Sequence, residues 1–113
     1  MNIIDKVEVF YKNFGEEKGV IGYSVFHKPI YYFAVKKTRV PVLIVQCSMH
    51  AREYITAHLC LRLVEEFSRF GKVGTVYFIP LVNPDGVEIA LNEKPLYKAN
   101  KIEKYSILSA PVL

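Results

Sequence analysis

Residues 40–82 read VPVLIVQCSMHAREYITAHLCLRLVEEFSRFGKVGTVYFIPLV, and their rhythm changes twice. Val42, Leu43, Ile44 and Val45 are consecutive and mostly β-branched. An apolar run without alternation is the pattern of a strand buried on both faces, in the middle of a sheet covered by helices. Residues 40–47 are expected to form such a strand. From Tyr54 to Phe70 the period becomes helical: Ile55, His58, Leu59, Arg62, Leu63, Glu66 and Phe67 fall near one another on the wheel. Leu61 and Val64 widen the apolar face, and Arg62, Glu65, Glu66 and Arg69 supply the polar side. Gly71 suits the stop of this helix. Thr75 to Val82 is a second, nearly continuous apolar strand with Pro80 near its end. Strand, helix, strand is a βαβ unit, with parallel strands and a right-handed crossover. The fold class is therefore α/β.

The flanks agree with that class. Ile3, Ile4, Val7, Phe10, Tyr11 and Phe14 recur at helical spacing, with Asn2 placed to cap and Gly15 to stop. One amphipathic helix is expected over residues 3–14. Val20 to Phe26 and Ile30 to Val35 are β-prone runs separated by His27-Lys28-Pro29, which reads as an antiparallel hairpin at one side of the sheet. Asn83-Pro84-Asp85-Gly86 is a dense turn signal, and Val87 to Leu91 is expected to form a short helix.

Length and composition bound the function. A chain of 113 residues suffices for one small domain with its own core. At 51% hydrophobic and 23% charged residues it is globular rather than disordered. The net charge of +4 is mild and its lysines are scattered. Nucleic-acid binding wants a denser basic stripe, so Lys36-Lys37-Thr38-Arg39 and the cluster from Lys98 to Lys104 read as solvated surface. Asp5 and Glu8 interrupt the first apolar positions, which argues against a secretory signal. No apolar run approaches the length of a membrane span. A cytoplasmic location, with neither membrane nor nucleic acid as partner, is the expectation. Cys47 and Cys60 sit in apolar strand and helix contexts and are expected to be free buried thiols.

The chemistry concentrates at His50-Ala51-Arg52-Glu53, just past the strand of residues 40–47. Open α/β sheets bind ligands at the carboxyl ends of their strands. Three residues on a helical turn bring Glu53 to the side of His50. Imidazole nitrogen and carboxylate oxygen are both zinc donors. The plain alternative is a His that caps a helix or simply lies at the surface, because a lone His-x-x-Glu arises often by chance.

Two signatures in order carry a resemblance. His50-Ala51-Arg52-Glu53-Tyr54-Ile55-Thr56 resembles the His-x-Arg-Glu-aromatic-Ile-Ser/Thr signature of the zinc carboxypeptidase family, and Asn83-Pro84-Asp85-Gly86 resembles its second signature. Ile21-Gly22-Tyr23-Ser24 through Pro29-Ile30 resembles the family's early strands, and Tyr97-Lys98-Ala99-Asn100 a segment of its bacterial members, those of γ-glutamyl-diaminopimelate peptidase type included. The resemblance covers residues 1–100, and residues 101–113 read as a divergent tail. It implies a partial carboxypeptidase-like mixed sheet with helices on its faces. It implies zinc as cofactor, His50 and Glu53 as metal ligands, and Arg52 as a substrate-binding residue that grips a peptide carbonyl or carboxylate. Asn83 to Gly86 would shape the cleft floor, and Asp85 receives no catalytic role. The implied substrates are peptides, with murein-derived γ-glutamyl peptides suggested by the bacterial segment.

The family's third zinc ligand is a His far downstream and its general base a Glu farther still. The residues at hand offer no substitute. His58 lies eight positions past His50, about 12 Å along a helix, and His27 occupies a hairpin turn. No residue of this chain is assigned the catalytic base, and without a third protein ligand zinc is expected to bind weakly or not at all. Three readings stay open: a truncated, inactive zinc metallocarboxypeptidase-like hydrolase; a non-catalytic interaction module that associates, with itself or a partner, through an exposed sheet edge; and an unrelated α/β domain with a fortuitous motif.

Overall fold

The computed structural model describes residues 1–92; the segment Tyr97 to Asn100 and the tail 101–113 lie outside the described residues. Helix α1 (Ile3–Asn13) opens the chain. Asn2 caps it: its side chain accepts from the Asp5 N–H at 3.0 Å while Asp5 reaches back to the Asn2 N–H. That reciprocal box satisfies two backbone donors the first turn leaves unpaired. The hairpin strands β1 (Glu17–Tyr23) and β2 (Pro29–Lys36) pair antiparallel, with a bulge between Val20 and Gly22. Strand β3 (Val42–Gln46), helix α2 (Ile55–Phe70) and strand β4 (Thr75–Ile79) form the βαβ unit, and β3 and β4 are parallel. Helix α3 (Pro84–Asn92) comes next. The mixed sheet has the order β1-β2-β4-β3.

That order corrects the position of β3. Among the described residues β3 is an edge strand, and Val42, Leu43 and Ile44 are 56–60% exposed. The strand buried on both sides is β4, held between β2 and β3. Phe33 and Val35 of β2 and Val76 and Phe78 of β4 face one side, under α1 and α2, and form the main core with Ile3, Val7, Ala57, Cys60 and Val64. Ile30, Ile79 and Val82 make a smaller cluster on the other side, with Tyr32 packed against it.

Helix α2 also turns a different face inward than its leucines suggest. Its buried residues are Ala57, Cys60, Leu61 and Val64, while Ile55, Leu59 and Leu63 are exposed. Both sets recur at helical spacing, so periodicity alone does not choose between them. Small residues at positions 57 and 60 let the helix approach the sheet closely. His58 is exposed on the outer face, and His27 is exposed in the hairpin loop at φ 63°.

The expected turn at Asn83 to Gly86 is the start of α3, which begins three residues earlier than the short helix read from Val87. The Asn83 side chain accepts from the Gly86 N–H at 3.0 Å, and its carbonyl accepts from Val87 at 3.1 Å. Asn as cap, proline at the first helical position and Asp in the first turn are all favourable there. No described helix is long and apolar enough to cross a membrane.

Candidate metal centre

The connection from β3 to α2 builds the site. Past β3, Cys47 continues the ladder: its N–H donates to the Ile79 carbonyl at 2.9 Å, and its carbonyl accepts from Val82 at 3.0 Å. Ser48 then takes the left-handed conformation, φ 59°, and redirects the chain. A non-glycine residue there costs about 1 kcal/mol, and the surroundings hold it. Its N–H donates to Thr56 Oγ1 at 2.8 Å and its carbonyl accepts from the Asn83 N–H at 3.3 Å.

His50 to Glu53 form a tight turn that precedes the helix. The Glu53 N–H donates to the His50 carbonyl at 3.0 Å, and α2 starts only at Ile55. The expectation that the two ligand candidates share a helical turn is thus corrected; a single hydrogen-bonded turn joins them instead. Ala51 is the inward residue, 1% exposed, and packs with Ile89 of α3. Its burial turns His50, Arg52 and Glu53 outward, and all three are exposed. Arg52 enters none of the ion pairs of the described residues, which are Lys28–Glu88, Lys36–Glu17 and Arg62–Glu66. Among the described residues its guanidinium makes no surface salt bridge.

The second signature is the bracket of the first. Asn83 is fully buried, and its side-chain amide also donates to the Met49 carbonyl at 3.3 Å. One residue therefore caps α3 and holds both peptides that precede His50. Asp85, 1% exposed, accepts from Ser24 Oγ at 2.8 Å and from the Phe26 N–H at 3.2 Å, fastening the hairpin loop to α3. Sequence reading assigns these two residues only to a turn. The signal for more is present in Asn-Pro-Asp, a helix-cap order whose polar side chains are free to bond backward.

Imidazole and carboxylate on one exposed turn fit two positions of a zinc site. Among the described residues no group of three His, Cys, Asp or Glu comes together around a common point. His27 and His58 lie on other elements and do not join the turn. Cys47 and Cys60 are free and buried, as their apolar contexts suggested. They hydrogen-bond to each other, which holds the Cys47 thiol below the usual range and, with burial, pushes Cys60 up.

Comparison with known proteins finds similarity over most of the chain. The family profile described as zinc carboxypeptidase matches residues 16–106. A zinc carboxypeptidase of Saccharothrix mutabilis subsp. capreolus is 34% identical over 58 residues, which covers 42% of this chain and 13% of that protein. Bovine thrombin-activatable fibrinolysis inhibitor, solved with tick carboxypeptidase inhibitor, superposes with a TM-score of 0.66 at 28% identity. That superposition covers 88% of this chain and 38% of the bovine one. Carboxypeptidase A of Helicoverpa armigera shares the fold, with a TM-score of 0.59 at 20% identity over 79% of this chain and 24% of its own. The chain thus spans well under half the length of these relatives.

Proposed function

Since the chain belongs to the zinc carboxypeptidase family, we propose that its exposed turn is the ligand-bearing part of a metallopeptidase site. In this reading His50 and Glu53 hold zinc, and Arg52 binds the peptide substrate. The observation that carries it is the pairing of the two signatures: Asn83 of the second holds Ser48 and Met49, the residues that aim the first. Family membership also sets aside the reading of an unrelated domain with a fortuitous motif.

The chemistry zinc supplies in such a site is Lewis-acid polarisation of the scissile carbonyl. The chain's own residues contribute binding and orientation. Arg52 offers a planar fork of donors suited to a peptide carbonyl or terminal carboxylate. Ala51, buried against Ile89, fixes which way that fork leaves the surface. Peptide hydrolysis further needs a carboxylate to take a proton from water. The turn's only carboxylate, Glu53, is assigned to the metal. By themselves these residues bind but do not turn over, and the substrate class is peptides, murein-derived γ-glutamyl peptides among them.

The test is hydrolysis by the purified chain, supplied with zinc, of blocked dipeptides with a free carboxyl end and of γ-glutamyl-diaminopimelate peptides. Release at the rate of the protein-free blank is expected. Turnover abolished by Glu53→Ala would overturn the incomplete site. A second reading, an interaction module that self-associates through β3, rests on the exposure of Val42, Leu43 and Ile44. An unblunted apolar edge strand invites pairing with another chain.

A further inference from the structure

Cys47 and Cys60 have no part in the zinc chemistry, yet they stand at the two ends of the segment that carries it. Cys47 follows β3 directly, its backbone pinned on both sides by Ile79 and Val82. Cys60 lies on the buried face of α2. Ser48, the residue after Cys47, is bonded through its N–H to Thr56 Oγ1 at 2.8 Å. Thr56 is four residues before Cys60, and that spacing places both on one face of the helix. Both sulfurs belong to the same core cluster, Cys47 at 9% exposure and Cys60 at 0%. Strand end and helix are therefore already tied where the thiols meet.

We infer that Cys47 and Cys60 form a redox pair, oxidised by a peroxide to an intramolecular disulfide that closes the loop bearing His50, Arg52 and Glu53. Cys47, the less buried sulfur, is the attacking thiolate. It displaces hydroxide from hydrogen peroxide, keeping one oxygen as sulfenic acid. The Cys60 sulfur then attacks the Cys47 sulfur, the S–S bond forms, and the departing hydroxide leaves as water with the Cys60 proton. Two thiols and one peroxide give one disulfide and two waters: both sulfurs are oxidised and the peroxide is reduced. Cys47 is the nearer of the two to solvent, so a peroxide reaches it first, and this sets the order of attack. Reduced, the His50 to Glu53 turn is held by hydrogen bonds and by the packing of Ala51; oxidised, its two anchors are covalently joined.

The sequence makes the test direct. Trypsin cuts after Arg39, Arg52 and Arg62, so Cys47 and Cys60 fall in separate peptides, Val40–Arg52 and Glu53–Arg62. The full chain is treated with hydrogen peroxide, its remaining thiols are alkylated, and it is digested without reductant. The expected product is the two peptides linked and separable by dithiothreitol. A melting temperature roughly 10 °C higher in the oxidised protein, reversed by the same reductant, should accompany it. Cys60→Ala should stop at the sulfenic acid, trapped on Cys47 by dimedone. If wild-type protein yields both cysteines alkylated, a sulfinic acid on Cys47, or disulfides between chains, the proposal is overturned.

Discussion

Strands β3 and β4 lie side by side, parallel and in register from Val42 opposite Thr75 to Gln46 opposite Ile79. Their sequences, VLIVQ and TVYFI, carry the same message of apolar, β-prone residues in an unbroken run. Yet Phe78 is 3% exposed and Leu43, on the same face of the sheet, is 59% exposed. The difference comes from neighbours. β4 has β2 on one side, β3 on the other and helices above Val76 and Phe78, whereas α2 sits over β2 and β4 rather than over β3. A strand's composition states how much burial it can use; the elements around it decide how much it receives. The His50 to Glu53 turn follows β3, the less buried of the two strands. Its placement depends on Val82 and Asn83, just past the end of β4.

The largest effect should come from truncating the buried partner. Phe78→Ala is expected to cost about 3–5 kcal/mol, against less than about 0.5 kcal/mol for Leu43→Ala. Urea midpoints at unchanged slope measure both, and equal losses would break the contrast. Next is the link between the strand ends. Asn83→Ala removes the cap of α3 and the bond to Met49, an expected loss of about 1–3 kcal/mol. Amide exchange should quicken in residues 48–53 while the β3–β4 ladder stays protected; uniform quickening would mean that Asn83 serves the core and not the turn. The smallest change in stability belongs to β3, the edge strand among the described residues. Ile44→Lys should leave folding within about 0.5 kcal/mol and lower self-association seen by light scattering, because charge on an edge strand blocks pairing. A loss of stability as large as that of Asn83→Ala would show that Ile44 is buried in solution.

Much of the fold is legible in the sequence, for reasons that particular residues explain. Asn2 and Asp5 announce α1, Gly71 closes α2, and the change of period between Gln46 and Tyr54 marks the βαβ unit. The His50 to Glu53 spacing is readable as a metal-binding pattern, but its backbone is not. A spacing of three fits a helical turn and a tight loop equally, and Ser48 at φ 59° with Thr56 beneath it selects the loop. The inward face of α2 is illegible because Ile55, Leu59 and Leu63 form as good a stripe as Ala57, Cys60, Leu61 and Val64. Only the closeness of helix and sheet favours the smaller residues. The edge position of β3 is hidden for the complementary reason, since an apolar run does not say which neighbours are present.

The proposal that His50 and Glu53 together hold zinc is tested most directly by imidazole resonances. With three histidines in the chain, each ring can be followed by NMR as zinc is added. His50 alone should shift, with saturation only at high zinc as two protein ligands dictate, and Glu53→Gln should weaken that response at least tenfold. Shifts at His27 or His58, or zinc uptake that leaves His50 unmoved, would contradict the account.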